Sequence, residues 1–292
     1  MKTILFGLVQ ALGGWLALAA LLSWTLQTRY ELRAVDTIGI ALFTGALAWP
    51  AFGLFVSAIH CGREILAIRR GVKGVPPADN AQVVLVGAIE ASGPLLRAPM
   101  DGSPCVAYAY QMQIDSGTGK RRHIATLARG VALTPSRIVT RSGAYRLLVV
   151  PDLEAAQPVA SRDTQVARFL AYAKDTAFTE QTGAAKELLQ RWSDGDGAYR
   201  SDVRFVELQG ADTRCWVPTQ QHVPPGALVC VFGRHDAMQG GIVPSVTRPA
   251  RLICGNAQEV IASLRSKIVT RTLIGSGLGA AVALLLVSFV RG

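Results

Sequence analysis

The residues whose types could do chemistry are few and scattered. Cys215, His222, Cys230 and His235 fall within 21 residues, and thiolate with imidazole is a donor set that suits zinc. Their spacing follows no zinc pattern, however. Cys230 shares a strand face with Leu228 and Phe232, where a small buried cysteine packs, and His222 is expected in the turn before that strand. No metal ligand and no cofactor is therefore expected. Lys120, Arg121 and Arg122 form a basic run at a hairpin tip and make the expected interaction patch. Such charge near Tyr108 and Tyr110 would suit single-stranded nucleic acid. A solvated turn near anionic headgroups explains it better, because these tyrosines alternate with small residues as core residues do. The run Gly275-Ser276-Gly277-Leu278-Gly279-Ala280 has the outward form of a dinucleotide fingerprint, but it follows a helix, not a strand. Gly275 and Gly279 instead make a small-residue face for helix packing within a membrane, which would allow a homo-oligomer. There is no G-x-S-x-G, H-E-x-x-H or P-loop. Asp194 and Asp196 sit in a Gly-rich loop that turn chemistry explains. No catalytic residue is expected, which leans away from an enzyme without closing the question.

The elements that must position these residues begin with the membrane. Of 292 residues, 50% are hydrophobic and 17% charged, too apolar for a disordered chain and sparse in charge for a soluble one. The apolar excess concentrates in three uncharged runs, 3–26, 37–59 and 272–290. At about 1.5 Å per residue each reaches across a hydrocarbon core of about 30 Å, the third only just, so three transmembrane helices are expected. Cleavage of the first run near Leu18-Ala19-Ala20 is a competing reading, although only Lys2 precedes it and the run continues to Leu26. Either outcome places residues 27–36 outside. Arg63, Arg69, Arg70 and Lys73 follow the second run, and Arg265, Lys267 and Arg271 precede the third. Only Arg29 and Arg33 lie between the first two, so the large central segment is expected in the cytoplasm, beneath the inner membrane if the chain is bacterial. Five cysteines, an odd number without regular spacing, agree with a reducing compartment. The net charge of +10 is then mainly a topology signal: residues 63–271 carry 26 basic and 18 acidic residues, a balance of +8.

Between the membrane runs the hydrophobic period changes. A helical continuation over 65–70 leads to the linker Gly71-Val72-Lys73-Gly74-Val75-Pro76-Pro77, the juxtamembrane segment being 63–81. Strands are expected over 82–90, 105–114, 121–128, 145–150, 203–208, 227–233 and 242–246. In the second, Val106, Tyr108, Tyr110, Met112 and Ile114 point one way. Two helices are expected within 157–210: one capped by Asp163, with Val166, Phe169, Leu170 and Ala173 on a face, and one over 184–192, stopped by the loop 193–197. Asn256 and Glu259 have the spacing of a capping box, opening a helix that runs unbroken into the third apolar run.

The strands carry a pattern. Val86-Gly87-Ala88-Ile89, then Pro99, Gly102, Pro104, Cys105, Tyr108 and Tyr110, resemble the opening of the GIDE domain, also called BAM for "beside a membrane". Residues 223–233 resemble its Pro-Gly turn and strand, and 251–265 its closing strand and helix; Ala98 replaces the usual Ser. The resemblance covers roughly 82–150 and 217–271. It implies a β-barrel-like, OB-related domain over 82–271, between the membrane helices at 1–62 and 272–292; the segment 157–210, with its two helices, departs from the family pattern and reads as a helical insertion in an α+β chain. The animal relative carries a RING finger, which needs eight Cys/His ligands. This chain has nine Cys and His in total and no C-x-x-C, so ubiquitin ligase activity does not carry over. The resulting expectation is a membrane-anchored, non-catalytic module binding lipid or a protein partner. The alternative is an enzyme or enzyme subunit with its site between barrel and insertion. Nucleic acid is not the expected partner.

Overall fold

The structure, a computed structural model, describes residues 24, 34–116, 123–155, 161–178, 198–205, 213–245 and 249–291. Apart from Trp24, the first expected span (3–26) therefore lies outside the described residues, as do the helix over 184–192 and the loop after it. The chain divides into two units, Met1–Ile65 with Ile261–Gly292, and Leu66–Val260. The described helices are α1 (Ala34–Val72), α2 (Arg162–Asp175) and α3 (Ala257–Arg291).

Two of these are long and apolar enough to cross a membrane. An 18-residue window within Thr44–Val72 has a mean hydropathy of 1.4, and one within Ala257–Leu285 of 1.7. Only 6% of the α3 window is buried, the opposite of a core helix, and Leu273, Ile274 and Leu284 are exposed along it. The run 37–59 continues through 65–70 as one helix, as expected, and takes in Gly71 and Val72 of the linker; Pro50 stands within it without ending it. α3 opens on the expected capping box. The Glu259 N–H donates to Asn256 Oδ1 at 2.9 Å, and the Asn256 N–H donates to Glu259 Oε2 at 3.1 Å. No break follows up to Arg291. Asn256→Ala removes one reciprocal bond and should lower stability by about 1 kcal/mol, read from denaturant unfolding of the detergent-solubilised protein.

The second unit is β-rich. Its strands are β1 (Gln82–Ala91), β2 (Leu96–Arg97), β3 (Pro104–Cys105), β4 (Ala107–Ser116), β5 (His123–Leu133), β6 (Ser136–Thr140), β7 (Gly143–Leu147), β8 (Asp152–Glu154), β9 (Tyr199–Arg204), β10 (Trp216–Val223), β11 (Leu228–Asp236), β12 (Gly241–Val243) and β13 (Arg251–Cys254). A seven-stranded sheet has the order β1-β6-β7-β12-β11-β13-β8, and β1 also pairs with β11. Five strands, β1-β6-β7-β12-β11, therefore close into a ring, antiparallel except between β7 and β12. Each of these strands has a ring neighbour on two sides over part of its length, and the ring encloses a core containing Leu85, Ile89, Ile138, Leu147, Val231 and Ile242.

A second sheet, β10-β4-β5-β9, is assembled from two excursions of the chain away from this ring. The hairpin β4–β5 leaves between β1 and β6; β9 and β10 leave between β7 and β11. One face of the sheet carries Tyr108, Tyr110, Met112 and Trp216, and α2 covers it with Val166 and Phe169. The alternation read from 108–114 holds, but Val106 belongs to the ring's core, because the chain passes from one sheet to the other there. One further expectation changes. Ser161, not Asp163, caps α2, its side chain accepting from the Thr164 N–H, while Asp163 lies in the first turn. The segment 157–210 is built into the domain. It supplies β9, which pairs with β5 over six positions, and the helix that seals the second core.

Candidate functional site: a buried tyrosine–carboxylate network

Cross-strand register on the covered face builds this site. Antiparallel neighbours stack side chains in rows. One row reads His222, Tyr108, Ala132, Arg200; the next reads Gln220, Tyr110, Gly130, Asp202. The third member of each row is small, which leaves space for the tyrosine rings. A Cβ at Gly130 would lie 2.3 Å from Asp202 Oδ1 and 2.4 Å from the Tyr110 ring. Glycine is thus what lets Tyr110 reach across β5. Its hydroxyl donates to Asp202 Oδ1 at 2.7 Å.

α2 completes the network from above. The Tyr172 hydroxyl lies 2.9 Å from both oxygens of Asp202, to which it donates, and 3.1 Å from the Tyr108 hydroxyl. With the Tyr172 proton committed to the carboxylate, Tyr108 is the donor to Tyr172. Arg200 stands over the Tyr172 ring, 5.6 Å from its centroid, with Nε 3.9 Å from Asp202 Oδ2. Burial dominates the electrostatics. It pushes the Asp202 carboxyl above the usual carboxylate range, even though the two phenols and Arg200 pull the other way. Burial, then the nearby carboxylate, also raises the Tyr110 phenol; burial raises Tyr172 and Tyr108 as well, so all three remain protonated donors at neutral pH. At Arg200 burial lowers the pKa, but the facing phenols and Asp202 outweigh it and the net shift is upward.

The other end of the face receives the turn that carries the family resemblance. The Met100 N–H donates to Gln220 Oε1 at 2.7 Å, and Arg168 of α2 donates to the Asp101 carbonyl. Asp101 Oδ2 lies 3.5 Å from His222 Nδ1, too far and too poorly aligned for a hydrogen bond; it is an ion pair only when the imidazole is protonated. Arg162 ties the start of α2 to the first residue of β10 and the turn before it, donating to the Trp216 carbonyl at 2.6 Å and to the Thr213 carbonyl at 3.0 Å. The whole arrangement is a polar clamp that holds helix, turn and sheet in one register. Asp202 takes up the phenolic donors of its neighbours, and its side chain is only 1% exposed.

The structure distributes the sequence-predicted residues differently from a site. Lys120, Arg121 and Arg122 lie outside the described residues. Cys215 is exposed in the 3-10 turn Thr213–Cys215; His222 is within β10 rather than in the turn before β11; Cys230 is buried in β11. His235 packs edge-on to Tyr145, with Nδ1 3.3 Å from the Ala78 carbonyl oxygen. Among the described residues no group of three His, Cys, Asp or Glu is placed to hold a metal ion. A Cβ at Gly275 would meet Phe55, Ala51 and Leu54 of α1, whereas at Gly279 it would meet nothing described within 4 Å.

Fold and site together define a chain with a β-barrel-like domain and two helices long and apolar enough to cross a membrane. Compared with protein-family models, with curated proteins and with solved structures, it matches none.

Proposed function

We propose that this chain is an integral membrane protein whose β domain is a non-catalytic interaction module of the beside-a-membrane type. In this reading the ring is an OB-like barrel, the run 3–26 is a third span, and the domain faces the cytoplasm, under the inner membrane in a bacterium. Its partner is a protein or the lipid surface. The observation that carries the reading is connectivity: the five-stranded ring lies in the chain between two apolar helices, α1 before it and α3 after it. Five strands in a closed barrel are the count of an OB fold, and the excess of Lys and Arg flanking the domain supports a cytoplasmic placement. The polar network supports a structural role, since its carboxylate is enclosed by its own phenols. An activity abolished by single substitutions in the domain would instead favour the enzyme reading.

Cys215 offers the test of topology. It is exposed, while Cys105 is buried with its thiol pushed up to about 12, and burial raises Cys230 and Cys254 to about 11. Maleimides react with thiolates, so Cys215 is the thiol expected to label at pH 7. A membrane-impermeant maleimide should label the protein only after cells are permeabilised, and Cys215→Ser should remove the signal. Labelling of Cys215 in intact cells would place the domain outside.

A further inference from the structure

We propose that Arg69, Arg70, Lys73 and Arg141 form a headgroup site for anionic phospholipid; this rests on the membrane reading above and names one partner for it. The site is built entirely within Leu66–Val260. The end of α1 is two-sided. Ile68 is fully buried, whereas Leu66, Arg69, Arg70 and Lys73, at spacings of three and four, are exposed on one face. Lys73 still follows the helical ladder, its N–H donating to the Arg69 carbonyl at 3.2 Å. Leu66, more than half exposed, is the last apolar side chain before the basic cluster on that face. Leu66 thus lies among cations, with exposed Arg63 three residues before it and three more within two turns after it, the profile of a helix segment in the headgroup layer, about 5–7 Å thick.

Arg141 comes from elsewhere in the sequence. The chain reverses at Gly74, whose φ of +70° favours glycine, and a Cβ there would lie 3.0 Å from Arg141 Cβ. The β6–β7 turn is thereby fixed against the end of α1, and Arg141 joins the cations of the helix, exposed like them. No described carboxylate pairs with any of the four. Residues 66–75 and 136–147 contain no Asp or Glu. Arg137, on the neighbouring strand, is by contrast held by Glu90 at 2.8 Å. Four unpaired cations beside an exposed leucine suit a surface that is both anionic and apolar, more than they suit a free anion or an acidic protein.

The full-length protein in neutral detergent tests this by thermal unfolding against added phosphatidylglycerol, phosphatidylcholine or inorganic phosphate. Phosphatidylglycerol should raise the midpoint, and the other two should not. Removing one cation from the site should raise the half-saturating phosphatidylglycerol concentration about fivefold, so Arg141→Ala gives about fivefold and Arg141→Ala with Lys73→Ala about 25-fold. Arg141→Lys should stay near wild type, and Arg137→Ala, already paired, should not change it. Equal response to both lipids, an unaffected Arg141→Ala, or equal protection by inorganic phosphate would each overturn the proposal. An alkaline carbonate wash separates the two readings: release from membranes means α1 and α3 do not span. Retention combined with indifference to phosphatidylglycerol means that only the headgroup site is wrong.

Discussion

Gly130→Ala should destabilise the protein by about 3 kcal/mol, the upper end of overpacking costs. For a unit of this size that is roughly 6–12 °C in the unfolding midpoint. The added methyl would sit 2.3 Å from Asp202 Oδ1 and 2.4 Å from the Tyr110 ring. Neither neighbour can retreat cheaply. The Tyr110 ring is packed 5.5 Å from Phe169 and 5.8 Å from Tyr172, centroid to centroid, and the Asp202 carboxylate is gripped by two hydroxyls. The clash and the network share the same atoms, so the penalties should not add. Gly130→Ala combined with Asp202→Ala should cost clearly less than the sum of the two single variants, because the second substitution removes the oxygen that the new methyl strikes. Additive costs in denaturant unfolding would mean that Gly130 is not the spacer between Tyr110 and Asp202.

That row also shows where sequence reasoning stops. Tyr108, Tyr110 and Met112 are legible as one buried face because strand period is local: three residues at alternate positions suffice. The Asn256–Glu259 box and the unbroken α3 are legible for the same reason, since a cap spans four residues. Gly130 is not, since a glycine in a strand gains its meaning only from what its neighbours across the sheet place beside it, here Tyr110 on one side and Asp202, 72 positions on, on the other. The inward position of Asp202 in β9, as the acidic residue of the alternating run Tyr199–Arg204, is the signal that sequence reading passes over. Tyr172, on the buried side of α2 together with Phe169, is another. The ring is equally hidden, because the parallel β7–β12 contact joins residues about 95 apart and no local pattern announces it. Asp163 passes for a cap because both Ser161 and Asp163 are favourable N-terminal residues, and only backbone geometry decides between them.

Asp202→Ala should cost about 3 kcal/mol, since it leaves the Tyr110 and Tyr172 hydroxyls without their acceptor inside a closed layer and opens space beside them. Asp202→Asn should cost less, about 1 kcal/mol, because the amide oxygen still accepts from Tyr110 while the buried charge is gone. The two readings of this residue, stabilising ion or tolerated cost, separate with pH. Its folded-state pKa lies above the ordinary carboxylate value because burial outweighs its partners. The folded protein therefore binds this proton more tightly than the unfolded chain does. The contribution is fully present below the unfolded pKa, near 4, and is lost as pH rises through the folded one. Wild type should lose stability relative to Asp202→Asn as pH rises from about 4, and the gap between them should narrow towards neutral pH. Denaturant unfolding at several pH values reads this directly. A gap that widens instead would mean that Tyr110, Tyr172 and Arg200 hold the carboxylate in its charged form more strongly than burial opposes it. In that case the network's main energetic role is to stabilise an anion, and Tyr172→Phe should then move the Asp202 titration upward.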